Sequence, residues 1–135
     1  MPYVNADDFG CTTEIIDKIL NCYQKGRIHS DSAMIFMKDS ERASALAREK
    51  SFSVGLHINF TIEFTGEMVK ANLRNQHEII AAYLTNRKFN QILYNPMLGK
   101  AFGYVFGLSG MNFAVFLERS QSGWMGIIIC TYACI

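Results

Sequence analysis

An adjacent acidic pair, Asp7-Asp8, stands between the run Tyr3-Val4-Asn5-Ala6 and Phe9-Gly10. Two carboxylates at one turn can serve a divalent cation, one ligating the ion while the other hydrogen-bonds or deprotonates its bound water. The same pair also reads as an ordinary turn with a helix cap. Further along, His57 can supply the nitrogen ligand that a borderline ion such as zinc takes, or can be a half-buried histidine satisfied by its neighbours. Asn59, two positions on, can orient a neighbour or a substrate. His29, in a polar turn, and His77, at the start of an expected helix, read as surface residues.

These groups can meet only if separate elements bring them together. Residues 3–6 read as a short strand that stops at the acidic pair, with Gly10 marking the turn. From Thr12 the spacing of Ile15, Ile16, Ile19, Leu20 and Tyr23 predicts a helix, capped by Thr12 or Thr13 and closed by Gly26. A second strand is expected over 32–37. Asp39 or Ser40 then caps a helix with Ala43, Leu46 and Ala47 inward and Arg42, Arg48 and Glu49 outward. A third strand over 52–60 places His57 and Asn59 on one side by its period of two. This alternation predicts an α/β fold with a parallel sheet and right-handed crossovers. Working residues of such sheets gather at the C-terminal strand ends, where Asp7, Asp8 and His57 fall.

Beyond a loop over 61–66, a helix is expected over 75–87 with Ile79, Ile80, Tyr83 and Leu84 inward. Residues 89–106 look largely helical, broken at Asn95-Pro96, with Phe102, Tyr104, Val105 and Phe106 forming an exposed surface. Residues 107–135 differ in texture: Glu118 and Arg119 are the only charges, and neither 113–117 nor 127–129 shows a clean period.

Composition sets the outer bounds. A chain of 135 residues suits a single core. Thirteen Lys and Arg against twelve Asp and Glu leave a net charge of +1, which excludes a charged disordered tail and gives no electrostatic grip on nucleic acid or anionic membrane. Cys11, Cys22, Cys130 and Cys134 form no CxxC pair, so neither a disulfide framework nor a zinc knuckle is expected, and a reducing cytoplasm is the expected compartment. Residues 1–5 have neither a basic nor an apolar signal region, and the most apolar stretch, 124–135, is shorter than the roughly 20 residues of a membrane-spanning helix.

Three ordered segments carry a specific resemblance: Val4-Asn5-Ala6-Asp7-Asp8-Phe9-Gly10, Ser30-Asp31-Ser32-Ala33-Met34 and Val54-Gly55-Leu56-His57-Ile58-Asn59-Phe60-Thr61. With Asp39-Ser40-Glu41-Arg42-Ala43, Tyr83-Leu84 and the stretch from Gln91 through Pro96, the chain resembles the YdjC/ChbG-like carbohydrate deacetylases over about residues 2–106. The resemblance implies the N-terminal half of an incomplete TIM-like (β/α) barrel of the polysaccharide-deacetylase-like type. It implies a metal-dependent hydrolase removing acetyl groups from N-acetylated sugars such as chitooligosaccharides. Carried over by position, Asp7 is the general base, and Asp8 and His57 bind a divalent ion, magnesium or zinc; Asn59, which can orient a substrate, is the candidate substrate-binding residue. The ion would polarise the acetamide carbonyl and acidify the water that Asp7 deprotonates.

Members of that family continue with a segment of the form Asp-Gly-His-His-His-Met-His, which supplies a further metal ligand. This chain has no histidine after His77 and carries Gly123-Trp124-Met125-Gly126-Ile127-Ile128-Ile129 at the corresponding place. Read one base out of frame, the codons of Trp124, Met125 and Gly126 force Asp-Gly, and those that follow permit His-His-His-Met-His. The expectation is a partial deacetylase domain over 1–106 and an out-of-frame tail over 107–135, which the nucleotide sequence of the locus would test. A TIM-like barrel takes about 250 residues, so activity is expected to be impaired. The alternative is a non-catalytic fragment or interaction module. A receiver domain also pairs an acidic cluster with an α/β fold, but it needs an aspartate at its third strand, where His57 stands. The sugar, the metal and the oligomeric state stay open, a homo-oligomer among the options.

Overall fold

The computed structural model describes residues 3–51, 53–86, 95–120 and 127–128. Strand β1 (Asn5–Phe9) leads into α1 (Thr13–Gln24), β2 (Ser30–Met34), α2 (Ser40–Lys50) and β3 (Val54–His57). There follow α3 (Ala71–Thr85), a 3-10 turn over Pro96–Leu98, α4 (Gly99–Ser120) and a two-residue strand, β4 (Ile127–Ile128). The sheet is parallel with spatial order β1-β2-β3, and β4 pairs with β3 through Leu56 and His57. Among the described residues it is an open α/β sheet flanked by helices, with β1 at one edge.

Local signals place the first helix as expected. The Thr12 hydroxyl accepts the Ile15 N–H at 3.3 Å, Ile16 and Ile19 are buried, and the chain leaves through Gly26 at φ 64°. Gly10, at φ 94°, is needed for the preceding turn, because a Cβ there would lie 3.2 Å from the Met34 carbonyl oxygen and 3.3 Å from Ala43 Cβ. In α2 the Ser40 hydroxyl accepts the Met37 N–H and donates to the Met34 carbonyl, whereas Asp39 makes no side-chain cap.

The strands deviate from their expected bounds for non-local reasons. β1 runs through the acidic pair instead of stopping before it, held by its ladder to β2. β2 begins two residues early: Ser30, Asp31 and Ser32 carry no apolar alternation, yet all three are buried by the strands beside them. β3 ends at His57 because Asn59 turns the chain: its side-chain oxygen accepts from the N–H groups of Thr61 and Ile62, and its amide donates to the Ile62 carbonyl.

Alternation along the strands sorts the core into two clusters. Phe9, Ala33, Val54, Leu56 and Ile58 pack with Ile16 and Ile19 of α1, Ala43 and Ala47 of α2, and Phe113 and Phe116 of α4. Met34 and Met37 pack with Phe64, with Leu73 and Ile80 of α3, and with Ala101 and Val105 of α4. Helix α3 starts four residues earlier than its apolar spacing suggests, so its buried stripe is Leu73, His77 and Ile80, and Ile79 is 41% exposed. His77 is therefore a core residue and not a surface one, whereas His29 is exposed as expected.

Helix α4 crosses the change in sequence texture at Gly107 without a break. Its buried positions, Ala101, Val105, Ser109, Phe113 and Phe116, follow helical spacing, so 113–116 do have a period. Tyr104, Met111 and Val115 on the other side, and Phe106 at the border of the buried stripe, are apolar too, which hides that period in the sequence. Of the four residues expected to be exposed, Tyr104 and Phe106 are, Phe102 is half-buried and Val105 is fully buried. No described helix is long and apolar enough to cross a membrane. The expected helical stretch 89–106 is described only from Asn95 onward.

Candidate functional site

In an unbroken strand Asp7 and Asp8 would point to opposite faces. Ala6 pairs with Asp31 and Phe9 with Ala33, so β1 spends one more residue than β2 over the same span, a bulge. Asp8 takes it up at φ 67°, a left-handed conformation that short polar side chains tolerate. Both carboxylates consequently reach residues of one sheet face. Asp7 Oδ1 accepts from the Ser32 hydroxyl and, at 3.0 Å, from the Asn5 side-chain amide. Asp8 Oδ1 lies 3.3 Å from His57 Nδ1. Ser32 and His57 share that face because Met34, two residues beyond Ser32, is the register partner of His57.

The Asp8–His57 contact is shielded, with side chains 17% and 8% exposed. The backbone N–H of Asp8 also faces His57 Nδ1, at 3.4 Å. An N–H suits a lone pair on that nitrogen, while the carboxylate oxygen suits a positive charge there. The spacing also fits a shared ion, since two ligands bonded at about 2.0–2.2 Å to one tetrahedral or octahedral centre sit roughly 3.0–3.5 Å apart. The donor set of one carboxylate oxygen and one imidazole nitrogen thus fits a divalent cation. A catalytic zinc commonly has three protein ligands. Among the described residues no group of three or more His, Cys, Asp or Glu side chains could hold a metal. Cys11 stands near, but burial first, and then the charges of Asp8 and Asp39, push its thiol up and keep it protonated.

Asp7 belongs to a polar chain that crosses two strands, as Ser30 donates to Asn5 Oδ1 at 2.7 Å and Asn5 donates to Asp7. Sequence reading did not single out Asn5, Ser30 and Ser32. The available signal was a set of short polar residues at alternate positions in strands otherwise expected to be apolar. Asn59 is 5% exposed and its amide is spent on its own loop, so it orients its neighbours. His77 packs tilted against Phe64 with centroids 4.0 Å apart, and burial lowers its pKa more than its hydrogen bond to the Asn59 backbone and the charge of Glu63 raise it. A cleft of about 630 Å³ lies between the segment after β2 (Phe36, Lys38), Glu67 and Met68, and Phe116 of α4, but Asp7, Asp8 and His57 do not line it.

The model of the YdjC-like protein family matches residues 3–96. The chain belongs to the YdjC-like family. All three segments of the strand-end motif lie within the matched region of this YdjC-like chain. Proteins named carbohydrate deacetylase from three serotype O1 strains of Vibrio cholerae are each 34% identical to it over 82 residues, 58% of this chain and 31% of theirs. The YdjC-like chain is thus matched to about a third of the length of those relatives. No solved structure matches it.

Proposed function

We propose that this YdjC-like chain carries the first part of a metal-dependent deacetylase site acting on N-acetylated sugars, on the opening strands of a TIM-like barrel. The observation that carries the reading is the 3.3 Å approach of Asp8 and His57 from separate strands, beside the anchored carboxylate of Asp7. Asp8 and His57 would hold a divalent ion, magnesium or zinc, which would supply carbonyl polarisation and acidification of water. Asp7 accepts a proton as general base, oriented by Ser32 and Asn5. Asn59 fixes the loop that leaves β3 beside the site. Membership of the family and likeness to proteins named carbohydrate deacetylase support an N-acetylated oligosaccharide as substrate.

Isothermal titration with zinc and with magnesium, beside an acetate-release assay on a chitooligosaccharide, tests this reading. With two protein donors, binding is expected to be weak. Asp8→Asn and His57→Ala are each expected to weaken it at least tenfold further, and acetate release is expected to be slow. Metal binding that neither substitution changes would overturn the assignment. The exposed apolar residues Tyr104, Phe106, Met111 and Val115 of α4 favour a second reading, a non-catalytic module that self-associates. Concentration-dependent sedimentation together with no acetate release would select it.

A further inference from the structure

Asp31 takes no part in the site described above. It lies in β2, flanked by its register partners Ala6 and Val54, and is 1% exposed. Alternation turns it away from the face of Ser32 and towards the side where Ala33 packs beneath α1 and α2. Among the described residues neither of its carboxyl oxygens has a hydrogen-bond partner. A buried carboxylate in that position forfeits its hydration without compensation, whereas a neutral carboxyl loses far less.

We propose that Asp31 makes this fold proton-dependent: the sheet is assembled around a neutral carboxyl, and ionisation of Asp31 loosens the β1-β2-β3 ladder that holds the acidic pair in place. Among the described residues the groups packed on that face offer no compensating charge, and α4 adds Phe113 and Phe116 to it. β1 contributes Ala6 and Phe9, and β3 contributes Val54, Leu56 and Ile58. On α1 the charged residues Glu14, Asp17, Lys18 and the following Lys25 are exposed, and the half-buried titratable residues are Cys22 and Tyr23. On α2, Glu41, Arg42, Arg48, Glu49 and Lys50 are all exposed. Burial alone pushes Asp31 up to about 7.

The direction follows from proton counting. An unfolded aspartate releases its proton near pH 3.9, roughly three units before the folded one. Between those values the folded chain binds more protons than the unfolded chain, so stability is greatest on the acid side and falls as pH rises to about 7. The folding constant is expected to drop by up to about 80-fold from pH 5 to pH 8 on account of Asp31. Buried His77 acts oppositely, disfavouring the fold below the ordinary histidine pKa. A comparison with Asp31→Asn cancels the His77 contribution.

Urea unfolding of the full chain and of Asp31→Asn at pH 5 and pH 8 tests the proposal, with a ¹³C carboxyl titration of Asp31 in the unsubstituted chain. The stability advantage of the variant over the parent is expected to grow by tens of fold from pH 5 to pH 8, with the Asp31 carboxyl titrating near neutrality. The same pH response in both proteins, or an Asp31 signal that titrates near pH 4, would overturn it. If Asp31→Asn does not fold, the carboxyl titration decides by itself.

Discussion

At the residue scale, a local distortion and not the acidic pair alone makes the site. Side by side in a regular strand, Asp7 and Asp8 would serve different faces; the left-handed turn at Asp8 places both over Ser32 and His57. Ser32 is fully buried and donates to Asp7, so its hydroxyl decides where the proposed base points. Ser32→Ala should cost about 1–2 kcal/mol in urea unfolding, because a hydrogen bond to a charged acceptor is lost. Where turnover is measurable, it should lower kcat with little change in KM. Ser32→Thr, which keeps the hydroxyl, should restore both. A kcat unchanged in Ser32→Ala would show that Asp7 does not depend on that bond.

At the element scale, α4 is the least legible part of the sequence, because its inward and outward sides are both apolar. Burial separates them. Phe113→Ala removes a side chain from the cluster shared with Ile16, Ala47 and Leu56 and should cost about 3–5 kcal/mol. Met111→Ala, on the exposed side, should stay within about 0.5 kcal/mol. Thermal or urea unfolding of the pair checks the helix orientation, and equal costs would contradict it. The loop after β3 is pinned from two sides. Arg74 donates to the Phe64 and Gly66 carbonyls, and the Gly66 N–H donates to the Phe36 carbonyl at 2.8 Å. A Cβ on Gly66 would lie 2.8 Å from that same oxygen, so Gly66→Ala should break the tie to the segment after β2. Faster amide exchange at residue 66 and its neighbours is the expected readout.

At the scale of the whole molecule, two buried titratable groups pull stability in opposite directions. His77, held below its ordinary pKa by burial, makes the fold lose stability as pH falls beneath about 6.5. Asp31, raised to about 7, makes it lose stability as pH rises through the range above about 4. Where the two ranges overlap their slopes oppose each other, so stability falls as pH rises from about 4 and the fall is blunted where His77 also titrates. A melting-temperature series from pH 4 to pH 9 should fall with rising pH and level off above about pH 7, and His77→Phe should steepen the fall below about pH 6.5. A second whole-molecule consequence lies at the sheet edge. β1 has no outer partner among the described residues, and an unpaired edge can recruit another chain.

The sequence by itself determined the order of strands and helices, the Thr12 cap, the Ile16 and Ile19 face of α1, and the gathering of Asp7, Asp8 and His57 near strand ends. Each of these depends on neighbours a few residues apart or on a motif of residue types. The resemblance of residues 2–106 to a deacetylase family was equally a matter of residue order, and the family match over 3–96 agrees with it. Only the tertiary structure decided that Asp8 bulges to meet His57, that Asn59 spends its amide on its own loop, and that His77 and Asp31 are buried. It also decided which side of α4 faces the core. Ladder register and packing join residues far apart in the chain, so a polar run such as Ser30-Asp31-Ser32 becomes a buried central strand only because β1 and β3 lie on either side of it.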